Sequence, residues 1–167
     1  MAPRTLSIEQ ARSLTELSTL QDGSLCFRSS KCTAILTLLG PSALLITSIG
    51  YDAGDSSPLL AAEINRLIAA QGKLNIFANL AIQTGQASVA REWWAEWAKQ
   101  HRAHLRLSHI LVRNRVTDMA ISVLAMLIGG GVIKSHASQA SFEAAIAELV
   151  PGFRSLPTFP DLAPLRS

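Results

Sequence analysis

The chain has 167 residues, of which 49% are apolar and 16% charged, with a formal net charge of +3. This is enough apolar material for one α/β domain with its own core. Two cysteines, Cys26 and Cys32, lack the paired spacing that a zinc site requires, which excludes such a site. The polar N-terminus lacks the apolar core of a signal peptide, so a cytoplasmic location is expected.

Residues 1–23 are predicted to form an N-terminal helical extension, with a short helix that is capped near Ser7 and ends before Asp22. Alternating apolar residues then predict a strand over 24–28, a turn at 29–31, and strands over 32–39 and 43–49. The two cysteines could face each other across this hairpin, but reduced thiols are the simpler interpretation. Residues 33–50 have the length of a membrane span, yet Gly40-Pro41 at their centre favours two core strands and no span.

A loop over 51–57 precedes a helix whose predicted cap is Asp55 or Ser57, with Pro58 in its first turn. An apolar strand follows over 73–80, then a turn around Thr84-Gly85 and a long helix over 86–104. The remaining predicted elements are a strand over 105–112, a helix over 116–128, an edge strand over 132–136 and a helix capped by Ser138 or Ser141. We therefore predict an α/β fold in which a single mixed β-sheet carries about four helices, with the domain spanning 24–150.

The C-terminal residues 151–167 are too rich in proline for a helix or strand, and they form either an extended arm on the domain or a docking peptide. Within the long helix, Trp93 and Trp97 recur at a spacing of four and are expected to pack on the sheet. Trp94 lies beside them on an adjoining face, where either a wide apolar face includes it or a partner contacts it.

Basic residues are concentrated over 91–115, which a solvated helix face explains most simply, although an acidic partner or phosphates could bind there. His101 and His104 form a helical i, i+3 pair that could share a metal, but no acidic residue or cysteine lies near them. Surface histidines are the simpler interpretation. No nucleophile motif, phosphate-binding loop or zinc motif is present, so we predict no catalytic residue, no metal and no cofactor.

Four segments carry a resemblance to a known family, and together they cover roughly residues 24–150. The chain resembles the STAS domain of bacterial anti-sigma-factor antagonists, and more closely its divergent SpoIIAA-like relatives. The resemblance implies a regulatory, signalling protein that binds other proteins. The matching segments are Leu74-Asn75-Ile76-Phe77-Ala78-Asn79-Leu80, Arg91-Glu92-Trp93-Trp94-Ala95-Glu96-Trp97, Ile110-Leu111-Val112, and Gly129-Gly130-Gly131 through Phe142-Glu143-Ala144-Ala145.

The chain departs from the family pattern at one point that concerns mechanism. Family members of the phospho-switch type carry Ser or Thr in an Asp-Ser-Ser-Gly-like turn, at the start of the helix after an Asp-Leu strand. Here Asn79 replaces that aspartate, and residues 81–86 replace the turn. Thr84 and Ser88 are the nearest hydroxyls and the candidate phosphorylation residues, because a helix N-terminus tolerates a phosphate, but the missing turn disfavours a phospho-switch.

The first functional hypothesis is a non-enzymatic regulatory or scaffolding module that binds another protein, with a homodimer left open. The second hypothesis, from another functional class, is a carrier protein that binds a small molecule or lipid near Met119, Met126 and Trp97. A nucleic-acid binder using residues 91–115 ranks last, because Trp97 alone supplies aromatic-basic interleaving. The predicted partner-binding residues are Thr84, Gln86, Ser88, Arg91, Trp94, Arg102, Arg113 and Arg115.

Overall fold

A computed structural model describes residues 6–113 and 131–159 of the chain. Within these ranges eight strands form one mixed sheet, and four α-helices accompany it, which confirms the predicted α/β fold class. The predicted helix over 116–128 lies outside the described residues, as do Arg115, Met119 and Met126.

The strands are β1 (Glu16–Thr19), β2 (Leu25–Arg28), β3 (Cys32–Gly40), β4 (Ala43–Asp52), β5 (Leu74–Asn79), β6 (Gln83–Gln86), β7 (Leu105–Leu111) and β8 (Ile133–His136). The helices are α1 (Ile8–Leu14), α2 (Ser57–Gln71), α3 (Ser88–Gln100) and α4 (Gln139–Leu149). A single 3₁₀ turn, Arg102–His104, joins α3 to β7. Ser56 occupies the N-cap position of α2 without a side-chain capping bond, so the predicted cap at Asp55 or Ser57 is off by one residue.

The sheet order is β1-β2-β3-β4-β5-β7-β8, with β6 paired to β4. Strands β1, β2, β3 and β4 are joined in succession by short turns and pair as antiparallel hairpins. Strands β5, β7 and β8 run parallel to β4. Parallel pairing requires a crossover, which α2 supplies between β4 and β5, and α3 supplies between β5 and β7. The ends of β4, β5, β7 and β8 therefore share one edge of the sheet, which we call the carboxyl edge.

The N-terminal segment is only partly helical. Ser7 caps α1 in a capping box with Gln10, as predicted near Ser7, but the helix ends at Leu14. The predicted continuation of this helix toward residue 22 is wrong, because 16–19 form β1 and pair with β2. Strand pairing overrides the weak helical pattern here, because residues 16–19 form backbone hydrogen bonds with β2.

Two apolar clusters cover the two faces of the sheet. The tryptophan face packs against α2 and α3, and its core includes Phe27, Leu44, Ile64, Ile76 and Trp97. The histidine face packs against α4 and the chain after it, and its core includes Leu45, Phe77, Phe142, Ile146 and Leu156. The two faces differ in how much polar chemistry they bury, as described below.

The start of the proline-rich tail packs on the histidine face. Leu156 is buried there, and its backbone N–H donates to Glu143 Oε1 at 3.0 Å. This bond, followed by one from Gln139, lowers the pKa of Glu143. The described part of the tail, through Phe159, thus matches the extended-arm alternative.

Both cysteines are free and buried. Burial raises the pKa of Cys32 to about 11, and its Sγ lies 3.5 Å from Ser48 Oγ. Burial likewise raises the pKa of Cys26. Neither thiol is therefore poised to react as a thiolate at neutral pH.

Among the helices of the described ranges, none combines the length and the apolar character needed to cross a bilayer.

Candidate protein-interaction surface

Asp52, the last residue of β4, joins three segments at the carboxyl edge. Its carboxylate is buried, accepting from Gln86 Nε2 at 2.8 Å and from the Gly54 backbone N–H at 2.9 Å. Its backbone oxygen accepts from Ala87 N at 2.8 Å. Because a buried carboxylate needs such donors, these bonds tie the loop after β4 to β6 and to the start of α3.

The segment predicted as a turn around Thr84-Gly85 is instead the strand β6, so that prediction is wrong. β4 is ten residues long, and its end, Gly50–Asp52, extends past β5 and pairs with β6. A Cβ atom on Gly85 would lie 3.0 Å from the Tyr51 ring, so glycine allows that ring to lie over the strand. Gln83, the first residue of β6, is bonded to β4, because its Nε2 donates to Ser48 Oγ at 3.2 Å.

Four of the predicted partner-binding residues meet at β6. Thr84 and Ser88 are exposed and Gln86 is half-buried. Arg91 is exposed, and its NH1 donates to the Gln86 backbone oxygen at 2.7 Å. This bond orients the guanidinium beside the strand.

Two residues that the sequence did not single out complete this surface. Tyr51 is 40% exposed and Ile82 is 44% exposed, on the strand beside β6 and at its start. Tyr51 is the single tyrosine of the chain and ends a predicted strand next to a loop, which is a signal that could have found it. The β6 surface is defined here as Tyr51, Ile82, Thr84, Gln86, Ser88 and Arg91.

Of the two alternatives for Trp94, the structure matches the wide apolar face. Its ring is half-buried and packs edge-to-face against Trp93 and Trp97, with centroids 4.9 and 5.7 Å away. All three rings contact the tryptophan face, as predicted for Trp93 and Trp97. The apolar stripe of α3 is therefore wide enough to include Trp94.

The basic stretch is divided between opposite ends of the sheet. Arg91 and Arg113 lie at the carboxyl edge, whereas Lys99, Arg102 and Arg106 lie around the start of β7. Seven residues of strand separate these ends by about 20 Å. The structure therefore does not bring Arg102 together with the β6 surface, and the basic residues do not form one continuous stripe.

His109 lies in β7, within the strand predicted over 105–112. It is buried on the histidine face, where its ring stacks on Phe77 at 5.1 Å and on His136 at 5.1 Å. His109 Nδ1 lies 2.8 Å from His136 Nε2, and His136 Nδ1 lies 3.2 Å from Ser141 Oγ. His104 is exposed, and His101 is half-buried against the Trp97 ring.

One proton arrangement satisfies nearly all of this chain of contacts. If His109 Nδ1–H donates to His136 Nε2, then His136 Nδ1–H donates to Ser141 Oγ, and the Ser141 hydroxyl donates to the Ser138 backbone oxygen. Only the buried His109 Nε2 then lacks a partner. Burial, followed by His136 and Lys134, lowers the pKa of His109 to about 4, so the ring is neutral at pH 7.

This arrangement serves packing and not acid-base chemistry. The Ser141 proton is directed at a backbone oxygen, so His136 is not placed to remove it. Across the ranges that the structure describes, no three His, Cys, Asp or Glu side chains are grouped as a metal site would need.

The family pattern places an Asp-Ser-Ser sequence after the strand that corresponds to β5. In this chain such a sequence follows the preceding strand, β4. Asp55-Ser56-Ser57 leads from β4 into α2, next to the β6 surface through Gly54, which approaches Ala90 of α3. Ser56 and Ser57 are both buried, whereas Thr84 and Ser88 are exposed. The hydroxyls at this second helix start are thus the less accessible pair.

No protein-family model matches the chain, and no curated protein matches its sequence. Four solved chains are similar to it, including the following two. One is an uncharacterised protein of the DUF3478 family with a SpoIIAA-like fold from Shewanella loihica PV-4, at 11% identity and a TM-score of 0.49, covering 76% of this chain and 87% of that one. The other is an anti-sigma factor antagonist from Mycobacterium paratuberculosis, at 12% identity and a TM-score of 0.49, covering 77% of this chain and 98% of that one.

Proposed function

We propose that the chain is a non-enzymatic regulatory or scaffolding module that binds another protein through the β6 surface. The observation that supports this most is the environment of β6. Within the described ranges this strand pairs with β4 and with no other strand, and Tyr51, Ile82 and Arg91 are exposed around it. The proposal includes a cytoplasmic location and an interaction domain spanning 24–150, flanked by the extension 1–23 and the tail 151–167.

The chemistry of this surface suits a protein partner. Tyrosine and arginine are enriched at interface centres, because they combine apolar area with hydrogen bonding. A short, singly paired strand also offers backbone groups to an extended partner segment. The Asp52 bonds hold the surface in place before binding, which reduces the ordering cost of association.

Phosphorylation of Thr84 or Ser88 would regulate this binding, and it forms part of the proposal. Ser88 is the first residue of α3, where the helix dipole favours negative charge, and Arg91 lies one turn further along. Mass spectrometry of the protein from its native host tests this directly, since it would find phosphate on one of these two residues.

The other predicted contact residues stay predictions. Arg113 is exposed at the same edge as β6 and would extend the surface toward β7. Trp94 and Arg102 contribute only if the partner reaches the outer side of α3 and its C-terminal end. Arg115 lies outside the described residues.

The carrier hypothesis is not favoured by the contacts around Trp97. That ring is 8% exposed, and its Nε1–H donates to Asn65 Oδ1 at 3.1 Å. Packing and an internal hydrogen bond thus already satisfy the side chain that would line the ligand site.

The double variant Tyr51→Ala/Ile82→Ser tests the proposal. A photo-crosslinking residue at position 84 first identifies the partner in host extract, and calorimetry then measures its affinity. We expect the double variant to lose at least about 2 kcal/mol of binding free energy, the size of an interface hot spot. Thermal unfolding confirms that the variant is folded.

The matched control is Leu38→Ser, which removes a 57% exposed apolar side chain elsewhere on the sheet. We expect it to leave the affinity unchanged. Full affinity in the double variant, or an equal loss in Leu38→Ser, would refute binding at the β6 surface.

A further inference from the structure

The antiparallel half of the sheet ends in the exposed strand β1. Among the described strands, β1 pairs with β2 alone, and it is the first strand in the order of the sheet. All four of its residues, Glu16–Thr19, are exposed. A strand with one unpaired side presents its free backbone N–H and C=O groups to a strand of another chain.

The hairpin that joins β1 to β2 shows which backbone groups of β1 are already used. Leu20 N–H donates to the Ser24 backbone oxygen at 2.8 Å, and this pair continues the β1–β2 register. Hydrogen-bonded and non-hydrogen-bonded pairs alternate along an antiparallel ladder. The bonds from β1 to β2 are therefore made by Ser18 and Glu16.

Leu17 and Thr19 consequently keep backbone groups that point away from β2. The β2–β3 hairpin agrees with this assignment, because Ser29 N–H donates to the Cys32 backbone oxygen at 2.8 Å. The same alternation turns the backbone groups of Phe27, which is opposite Leu17, toward β3. The Leu17 backbone is thus available to another chain.

Apolar side chains are exposed beside these free backbone groups. Among the described residues, three of the seven large apolar side chains that are exposed lie in α1 and β1, namely Ile8, Leu14 and Leu17. Leu17 is 56% exposed and shares the tryptophan face with Phe27, since directly opposite residues lie on one face of a sheet. This combination suits a partner that brings both a strand and an apolar side chain.

We propose that this partner is a second copy of the chain, whose β1 pairs antiparallel with the first across a two-fold axis at Leu17. A two-fold axis brings the same surface of both copies together, so the free backbone groups meet their own equivalents. Leu17 then exchanges two hydrogen bonds with Leu17 of the second copy. The two leucine side chains meet on the same face of a sheet that continues from one copy into the other.

Backbone pairing and charge select this register over its neighbours. Glu16 is opposite Ser18 of the second copy, so the two carboxylates do not face each other. A shift by one residue would set free backbone groups against groups that are already bonded to β2. A shift by two residues either places the two Glu16 carboxylates opposite each other or separates the Leu17 side chains.

The length of β1 sets the strength of this dimer. Four residues from each copy form a short ladder, which is smaller than the roughly 1,200–2,000 Å² interfaces of stable complexes. We therefore expect a dissociation constant on the order of 10–100 μM.

The experiment measures the mass of the full chain by analytical ultracentrifugation from about 5 μM to about 1 mM, a range that includes this constant. We expect a monomer at the low end and a dimer at the high end. Amide hydrogen exchange at both concentrations then identifies the strand. The Leu17 and Thr19 amides should exchange more slowly only in the dimer, whereas those of Glu16 and Ser18, already bonded to β2, should change little.

Leu17→Lys places two ammonium groups opposite each other at the axis and should weaken the dimer at least about tenfold. Its matched control, Leu149→Lys, makes the same change at a 41% exposed leucine on α4 and should dimerise like the wild type. Thermal unfolding checks that both variants are folded. If Leu17→Lys is unfolded, Thr19→Pro carries the test, because it removes an N–H group that β2 does not use.

Ser18→Lys tests the register, because it sets an ammonium opposite Glu16 of the second copy and should tighten the dimer several-fold. A dimer no tighter than the wild type would overturn this register. A monomer at every concentration, or a dimer that folded Leu17→Lys leaves unchanged, would overturn the pairing itself. So would slow exchange of the Leu17 and Thr19 amides at low and high concentration alike, which would mean that a segment of the same chain covers β1.

Discussion

The two faces of the sheet are covered by helices in the same way, yet they are stabilised differently. The tryptophan face buries aliphatic and aromatic side chains, and its indole N–H is satisfied by Asn65. The histidine face buries His109 and holds it through His136 and the first turn of α4. The tryptophan face therefore depends mainly on apolar area, whereas the histidine face also depends on a neutral imidazole.

This difference predicts that the sheet responds to pH on one side more than on the other. Apolar burial is insensitive to proton concentration, but a buried imidazole must be desolvated again whenever it gains a charge. Acid should accordingly loosen α4 and the tail before it affects α2 and α3.

The largest effect is expected from Trp97→Ala on the tryptophan face. Removing a buried indole leaves a cavity and should lower the free energy of unfolding by about 3–5 kcal/mol, measured by chemical denaturation. The loss should be nearly the same at pH 7 and pH 4.5, because it comes mainly from apolar burial and His101, which stacks on the Trp97 ring, is only half-buried.

Trp94→Ala is the matched control, since its ring is only half-buried in the same cluster. It should cost clearly less. An equal cost for both tryptophans would mean that Trp94 is as central to the core as Trp97. A cost for Trp97→Ala that grew in acid would break the distinction between the faces.

The second prediction concerns acid on the histidine face. Burial lowers the pKa of His109 to about 4, below the value of about 6.5 expected in the unfolded chain. The unfolded state thus binds more protons between these values, so this contribution is complete above pH 6.5 and is lost as the pH falls to 4. Denaturation curves should show a loss on the order of 3 kcal/mol across this range.

His109→Phe should flatten this pH dependence while keeping a ring stacked on Phe77. Amide hydrogen exchange should show α4 opening first in the wild type as the pH falls. If the loss of stability in acid were unchanged in His109→Phe, groups other than His109 would cause it. Equal amide exchange on both faces would contradict a pH response confined to the histidine face.

The strands that the sequence predicts correctly carry their own signal. β5 and β7 are apolar runs bounded by polar residues, and Gly40-Pro41 marks the hairpin between β3 and β4. β1 and β6 escape prediction because they are polar and four residues long, and each becomes a strand only through a longer partner. Strand propensity depends on such context, which a local pattern does not contain.

The candidate site divides along the same line. Thr84, Gln86, Ser88 and Arg91 were predicted because they are neighbours in sequence. Tyr51 and Asp52 were missed because the bond that joins β4 to β6 connects residues 34 positions apart. The His109–His136 pair likewise spans 27 positions. Periodicity places residues on a face, but it does not show which distant residues meet there.

The smallest effect distinguishes the helices that cover the two faces. On the histidine face, Ser138 caps α4 by accepting from the Ser141 backbone N–H at 3.2 Å, and it also contacts Ser141 Oγ, the partner of His136. On the tryptophan face, Ser56 occupies the cap position of α2 but its side chain makes no capping bond. Ser138→Ala should therefore lower the free energy of unfolding by about 1 kcal/mol.

Ser56→Ala, the matched control, should lower it by only a few tenths of a kcal/mol, because no cap is lost. Parallel denaturation curves for the two variants measure the difference. Because Ser138 also supports the serine that accepts from His136, its removal should loosen the burial that lowers the pKa of His109 and so make the acid loss on the histidine face smaller. Equal costs for the two serines, with an unchanged acid response in Ser138→Ala, would mean that the histidine pair is held by packing against Phe77 and Phe142 and not by the first turn of α4.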